Sequence, residues 1–455
     1  MFEKVTLDNF KSFDHIEFDL RGKGNKPLPH AIIYGENGSG KSNLVSAFVF
    51  LKETIDTLSI DSFFEGVRDK ISERAPLPKE ATDEITESWE LDYSQQMMLK
   101  SLLSGENCCK LNDWVRSCRM INGGSVRVSY AFRVGGGLGS YLMEFDNNND
   151  LVREELGWTL GKDVLSFSAS RVKNQSAFSY GGIFSDDKYS KEVEELLNRY
   201  WGKNTFLSIM GHQFENNNYE FMEQRTEKSF IEIMKFFDTF VVSRNGKHWD
   251  VKYPETINIV KGAIRSDEKK QLLAMQDALS AFFTRTYSDI KKVYYRIEEN
   301  ANGIRYELIF TKKICGVLRD IEASLESSGT LKLLENFQAF IGCCRGNTVI
   351  IDELDTGVHD ILMDNVLLDL ISSNKGQLIV TTHNTMLLEH VLPKHIFIIQ
   401  IDSEGYKRIV PISELERTQK NHNNRNRYIS GLFGGLPMSE EIDFTDISDM
   451  APNWR

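Results

Sequence analysis

The start of the chain reads as strands followed by a helix. Val5-Thr6-Leu7-Asp8-Asn9-Phe10 and His15-Ile16-Glu17-Phe18-Asp19-Leu20 alternate with a period of two, the pattern of half-buried strands. Ala31-Ile32-Ile33-Tyr34 is continuously apolar, as a strand buried on both faces would be, and Leu44, Val45, Phe48 and Leu51 then mark one face of a helix. Residues 60–122 are polar, acidic at first, and are read as helical. Strands return at 126–134 and 141–145, joined by a Gly-rich turn, and at 151–155 and 164–168. Residues 186–283 read mainly as helix, with one amphipathic face carrying Val193, Leu196, Leu197 and Tyr200 and another carrying Phe230, Ile233, Met234 and Phe237. No heptad repeat is sustained, which argues against a long coiled coil. Strands at 293–297 and 306–310 precede an alternation of strands and helices from Val349 to Ile401, closed by a hairpin through Glu404-Gly405.

This pattern predicts an α/β protein whose main domain is split by a mainly helical insertion and accompanied by an antiparallel β subdomain. Its expected parts are 1–60, the first part of that domain; 61–122, a polar helical insertion; and 123–185, the antiparallel β subdomain. A helical arm over 186–290, the second part of the domain over 291–415 and a polar, partly mobile tail over 416–455 complete it.

With 455 residues the chain can bury a large core, and a net charge of −12 argues against a protein that coats nucleic acid by charge alone. The six cysteines include the adjacent pairs Cys108-Cys109 and Cys343-Cys344 but no Cys-x-x-Cys, which fits a reducing cytoplasm rather than a zinc or thioredoxin-like site. Neither an apolar signal core nor a membrane-spanning run is found, so a cytoplasmic protein without membrane contact is expected.

Gly35-Glu36-Asn37-Gly38-Ser39-Gly40-Lys41-Ser42 matches G-x-x-x-x-G-K-[ST], between an apolar strand and a helix. Gly35, Asn37, Gly38, Ser39 and Gly40 let backbone N–H groups wrap phosphate oxygens, with Asn43 just behind, and the helix N-terminus adds a favourable dipole. Lys41 is expected to bridge the β- and γ-phosphates of ATP and Ser42 to ligate Mg²⁺. Val349-Ile350-Ile351-Asp352-Glu353 is an apolar strand ending in two carboxylates, Asp352 suited to hold Mg²⁺ and Glu353 to act as the base on the attacking water. His383, in Thr381-Thr382-His383-Asn384 after the next strand, can reach the γ-phosphate. Such strand-end residues alone are more often helix caps or structural groups; their order behind the phosphate loop favours the catalytic reading.

The set resembles the ABC-type ATPases of the SMC and DNA-repair branch. The residues that carry the likeness are Asn9-Phe10-Lys11-Ser12-Phe13, the phosphate loop, Ser327-Ser328-Gly329, Asp352-Glu353, Asp355 and His383. More narrowly, Glu326-Ser327-Ser328-Gly329-Thr330 with Asp352-Glu353-Leu354-Asp355-Thr356-Gly357 is similar to short AAA-family ATPases of bacterial phage defence. These include relatives of the overcoming-lysogenization-defect nucleases and the ATPase subunit of the phage anti-restriction-induced system. The resemblance implies a Mg²⁺-dependent ATPase that dimerises head-to-tail around ATP, within a homo-oligomer. Ser327, Ser328 and Gly329 would be the signature that meets the other subunit's γ-phosphate, and Asp355 would lie in the dimer loop. Lys11 would approach ATP from the strand turn, and Gln175 is the candidate for the family's glutamine loop. Thr330 departs from the usual second glycine, and an ordinary helix cap at Ser327 or Ser328 is the plain alternative. A separate effector, nuclease or toxin, and a phage-protein trigger would be the partners.

Other readings stay open. A DNA-repair or chromosome-associated ATPase would act directly on DNA, a self-contained nuclease would cut it, and a scaffold would bind ATP without turnover. Arg285, Lys291, Lys292, Arg296, Arg305, Lys312 and Lys313, interleaved with Tyr287, Tyr294, Tyr295 and Tyr306, suit either DNA contact or the solvated side of packed strands. Arg417-Thr418-Gln419-Lys420-Asn421-His422 has an Arg-x4-His spacing found in ribonucleases, without a surrounding helical pattern.

Overall fold

The computed structural model describes residues 1–72, 110–172, 175–244, 247–249, 258–300, 303–415, 423–436 and 444–450. Lys173, Asn174, the Cys108-Cys109 pair, most of the 61–122 insertion and the Arg417–His422 motif lie outside them.

A seven-stranded antiparallel sheet is built from β1 (Phe2–Phe10), β2 (Phe13–Asp19), β4 (Val126–Val134), β5 (Gly137–Phe145), β6 (Leu151–Leu160), β7 (Asp163–Val172) and β8 (Gln175–Gly181), in the order β2-β1-β4-β5-β6-β7-β8. A second seven-stranded sheet contains β3 (His30–Tyr34), β9 (Val241–Arg244), β10 (Lys247–Trp249), β15 (Thr348–Ile351), β16 (Gln377–Thr381), β17 (Ile396–Ile401) and β18 (Lys407–Pro411). Its order is β10-β9-β15-β16-β3-β17-β18; β9, β15, β16, β3 and β17 run parallel, and antiparallel strands close both edges. A smaller sheet holds β11 (Lys261–Ile264), β12 (Ile290–Asn300), β13 (Gly303–Ile314) and β14 (Val317–Glu322).

The continuous apolar runs have a direct cause. Alternate residues of the parallel strands face two different cores, so both faces favour apolar side chains. Ala31, Ile33, Ile350 and Ile379 join the core shared with the antiparallel sheet. Ile32, Tyr34, Val349, Ile351, Leu378 and Val380 join a core built with Leu333, Phe337, Met363 and Leu367. The helix Lys41–Ser72 runs between the two large sheets and is buried on nearly every side as far as Leu58. Phe48 meets Phe2 edge-on at 5.1 Å, Phe50 meets Phe10 at 5.8 Å, and the Tyr130 hydroxyl donates to Ala47 O at 2.6 Å.

Two parts of the chain differ from the sequence reading. The described residues of 186–290 do not form a separate helical arm. Helices Asp187–Tyr200, Phe206–Asn216 and Lys228–Thr239 lay Val193, Leu197, Phe206, Phe230 and Phe237 onto the antiparallel sheet, and Phe206 stacks on Phe167 at 3.8 Å. The chain then enters the parallel sheet as β9, and the helix Lys269–Thr286 packs Phe283 against Phe310 at 5.1 Å. β9 is hidden in the sequence because Val241 and Val242 continue the apolar run of the preceding helix and only Ser243 and Arg244 follow. Nor is all of 416–455 a loose tail. Asn423 caps a helix at Asn424–Ile429, Tyr428 and Phe433 are buried in the second core, and Gln400 Nε2 donates to Phe433 O at 2.6 Å. Among the described residues, no helix is long and apolar enough to cross a membrane.

Candidate nucleotide site

The phosphate loop joins β3 to the buried helix Lys41–Ser72. Gly40 has φ +110°, and a Cβ there would stand 2.7 Å from the Phe13 ring, so the loop needs glycine on both conformational and steric grounds. Lys41 Nζ donates to Gly35 O at 2.7 Å and Glu36 O at 3.1 Å. Burial pulls the Lys41 pKa down, while Asp352, Glu353, Asp355 and Glu36 oppose that shift. Asn37, Gly38, Gly40, Lys41, Ser42, Asn43, Glu353 and His383 line one open pocket of about 400 Å³. Gly35 and Ser39 belong to the same loop, with Ser39 buried beneath it.

The parallel sheet brings the remaining groups to this pocket, because β3, β16 and β15 are neighbours and all end on the same side. Asp352 follows β15 and is 2% exposed. Thr381, the last residue of β16, ties the pair together: its hydroxyl donates to Asp352 Oδ1 at 2.6 Å and accepts from Glu353 N at 2.8 Å. Glu353 is held at φ +49°, a left-handed conformation that costs a non-glycine residue roughly 1–2 kcal/mol. Asp355 Oδ2 accepts from His383 N at 3.1 Å. Burial, then Lys41, lower the His383 pKa, against the pull of Asp355, Glu353 and Asp352, which favours the neutral imidazole.

The donor set suits Mg²⁺. Ser42 offers a hydroxyl to the pocket, and Asp352 Oδ2 is buried without a hydrogen-bond partner, so both groups are hard oxygen ligands of the kind this cation takes. Ser42 and Asp352 are the residues that would hold it.

Three residues of this site were not anticipated in these roles. Thr381 lay in a recognised motif, but only as a flank of His383. Arg244, at the end of β9, places Nε 3.4 Å from Asp352 Oδ2 and donates from Nη1 to Ser46 Oγ at 2.8 Å. Lys407 of β18 donates to Gly38 O and Ser12 Oγ, both at 3.0 Å, and Asn43 Nδ2 donates to the same Ser12 hydroxyl at 2.8 Å. The β1–β2 turn and the β17–β18 hairpin thus brace the phosphate loop. A sequence signal exists for Lys407 only after the fold is known, since it lies 369 residues from Gly38.

Other expected site residues lie apart from the pocket lining. Lys11 sits in the β1–β2 turn at φ +51°, with its backbone N donating to Cys118 O at 2.6 Å. Gln175 is exposed at the start of β8, the edge strand of the antiparallel sheet. Ser327 caps the helix Ser328–Arg345 by accepting from Thr330 N at 3.2 Å, and Ser327 and Ser328 are exposed. Thr330 is buried and its hydroxyl meets Ser327 Oγ at 2.8 Å. Gly329 is buried, and a Cβ there would come 2.7 Å from Gly357 O. The loop Asp355–Gly357 therefore touches His383 at one end and the Ser-Ser-Gly turn at the other. On β12–β14 two of the basic residues are met by acids, Arg296 by Glu307 at 3.1 Å and Glu322 at 3.6 Å and Lys312 by Glu326 at 2.7 Å, while Tyr295 and Tyr306 are buried and Tyr294 donates to Asp320 at 2.9 Å.

Residues 273–389 match the family model described as "AAA domain, putative AbiEii toxin, Type IV TA system", and residues 4–52 match one described as "AAA domain". Comparison with curated proteins gives no match. Among solved structures the chain is similar to the SMC head domain from Thermotoga maritima, at 15% identity over 90% of this chain and 98% of that chain, with a TM-score of 0.38. It is also similar to SmcHead bound to the C-winged helix domain of ScpA, at 14% identity over 90% and 96%, with a TM-score of 0.40. A third is the Smc head domain with an extended coiled coil bound to the C-terminal domain of ScpA derived from Pyrococcus furiosus, at 15% identity over 90% and 95%, with a TM-score of 0.37. The chain has a mixed α/β fold of parallel and antiparallel sheets, with AAA-domain sequence in two separate segments, residues 4–52 and 273–389.

Proposed function

We propose that this chain is a Mg²⁺-dependent ATPase that dimerises head-to-tail around two ATP molecules and serves as a regulatory subunit in antiviral defence. The observation that carries the ATPase reading is the convergence of Lys41, Ser42, Glu353 and His383 on one pocket. On ATP binding, the Lys41 ammonium exchanges the carbonyls of Gly35 and Glu36 for phosphate oxygens. Ser42 and Asp352 would hold Mg²⁺, which would offset phosphate charge when bound. Glu353 accepts a proton from the attacking water, and the neutral His383 imidazole hydrogen-bonds that water or the γ-phosphate. Asp355 orients His383 through its backbone N–H. In this reading the exposed Ser327-Ser328 turn meets the other subunit's γ-phosphate at a helix N-terminus, which attracts anions. ATP binding then closes the dimer and hydrolysis reopens it.

The defence role is supported by the description of the model matched over residues 273–389 and by the phage-defence resemblance of the Glu326–Thr330 and Asp352–Gly357 stretches. A separate nuclease or toxin would be the effector and a phage protein the trigger.

Nucleotide binding and turnover test the enzyme reading. Lys41→Ala is expected to lose ATP binding. Glu353→Gln is expected to bind ATP, accumulate the closed dimer and stop turnover. Equal turnover by Glu353→Gln and wild type would refute the mechanism. Plaque assays on cells carrying the chain with its neighbouring genes test the defence role, with protection expected to vanish in Lys41→Ala.

A further inference from the structure

Arg244 is placed by sheet register, not by a local motif. β9 and β15 run parallel, Ser243 pairs with Ile351, and Asp352 N donates to Ser243 O at 2.8 Å. The next residues, Arg244 and Asp352, are therefore neighbours. Arg244 Nε lies 3.4 Å from Asp352 Oδ2; both atoms are buried and neither has a hydrogen-bond partner. The guanidinium is tethered from its other side, since Nη1 donates to Ser46 Oγ at 2.8 Å and that hydroxyl donates to Ser42 O at 2.7 Å. A cation thus stands against the free oxygen of the carboxylate, one helical turn from Ser42.

Taking Ser42 and Asp352 as the metal ligands of the proposed function, we propose that Arg244 is a positioning residue that competes with Mg²⁺ for Asp352. While metal is absent, the guanidinium balances the buried carboxylate, which would otherwise be costly to leave charged. The contact is loose, with no hydrogen bond between Nε and Oδ2, so the carboxylate can turn to a metal. The Ser46 tether keeps the positive charge nearby after that turn, and its repulsion weakens the metal. Arg244 thereby sets the metal concentration at which the site fills. A purely structural arginine would leave metal affinity unchanged or, by losing order at Asp352, make it worse.

Mn²⁺ binding in the presence of ADP, read by electron paramagnetic resonance, tests this without turnover. Arg244→Gln is expected to tighten Mn²⁺ binding by roughly tenfold, the effect of removing a unit charge about 5 Å from a divalent ion in a well-screened site. Arg244→Lys, which keeps the charge, is expected to stay near wild type. If the glutamine variant does not fold, Arg244→Met, which keeps the apolar length, carries the same expectation. Asp352→Asn separates the two ideas. Loss of Mn²⁺ affinity in Asp352→Asn with unchanged or weaker affinity in the neutral Arg244 variants overturns the role of Arg244 alone. Unchanged affinity in Asp352→Asn overturns the metal site itself and this inference with it.

Discussion

Thr381→Val removes a single oxygen from the centre of the candidate site and replaces it with a methyl group of similar size. Thr381 is fully buried, so no water stands ready to replace the hydroxyl. Two interactions go together. The Glu353 N–H loses its acceptor at 2.8 Å, and Asp352 Oδ1 loses its donor at 2.6 Å. Each buried group left without a partner costs about 1–3 kcal/mol, the carboxylate more than the amide, so a combined loss of roughly 2–6 kcal/mol of stability is expected. The functional effect should exceed what the stability loss explains. Glu353 sits at φ +49°, and its N–H bond to Thr381 helps hold that strained backbone. Once the bond is gone, the carboxylate is free to leave the line of attack while the phosphate loop is untouched. ATP affinity should stay within about twofold of wild type, while turnover falls roughly 10- to 100-fold, part of what a positioned general base contributes. Thr381→Ser, which keeps the hydroxyl, should recover most of both. Urea denaturation gives the stability change, equilibrium dialysis the affinity and phosphate release the turnover. A valine variant with wild-type stability and wild-type turnover would show that Thr381 does not organise the carboxylates.

Two further expectations follow from buried and exposed groups elsewhere. Glu154 is fully buried, accepts from the Tyr141 hydroxyl at 2.6 Å, Trp201 Nε1 at 2.7 Å and Phe206 N at 2.8 Å, and has its pKa raised by burial to about 7. Because the folded pKa lies above the unfolded value, this carboxyl's contribution to stability is fully present below about pH 4.5 and is lost as pH rises through 7; denaturation of wild type against Glu154→Gln should show the difference change by roughly 3 kcal/mol over that window. Ser328→Glu adds an acid at the start of a helix, where it is tolerated, so it should keep its fold and ATP binding yet lose turnover if Ser328 faces the other subunit's γ-phosphate. Co-expressed with Lys41→Ala it should recover roughly a quarter of wild-type turnover, since half of randomly paired dimers hold one complete site of two; full turnover by Ser328→Glu alone would reduce the turn to a helix cap.

What could be read from the sequence is set by how far apart the cooperating residues lie. The phosphate loop is eight consecutive residues with glycines fixed by backbone geometry, and its setting between β3 and a helix is local. The apolar run before Asp352 is local too, because burial on both faces of one strand leaves a continuous signature. Gln175 had no such support. A lone glutamine in a Ser-rich hairpin carries no periodicity that ties it to a site, and it stands on the edge strand β8. Arg244, Thr381 and Lys407 were illegible for the opposite reason. Their partners are 108, 29 and 369 residues away in sequence and become neighbours through strand order alone, as with Arg244 and Asp352 across β9 and β15, Thr381 and Asp352 across β16 and β15, and Lys407 and Gly38 across the β17–β18 hairpin. The buried part of the C-terminal segment failed by composition, since two anchors, Tyr428 and Phe433, are outnumbered by polar neighbours.

The Ser-Ser-Gly turn is the instructive mixture of these cases. Its glycine has a reason inside the chain, the close approach of Gly357 O, and Ser327 has one as a helix cap. Ser328 has neither, since it is exposed at the first residue of the helix. A purely structural turn accounts for two of the three residues and leaves the third free to serve an anion from outside. The Asp355–Gly357 loop carries the consequence inward. It packs on Gly329 through Gly357 and holds the His383 backbone through Asp355, so displacement of the turn by a second subunit would be felt at the imidazole. Closure and hydrolysis are then linked by one short loop, and shortening Asp355 to Ala should uncouple them: dimer closure on ATP persists while turnover falls.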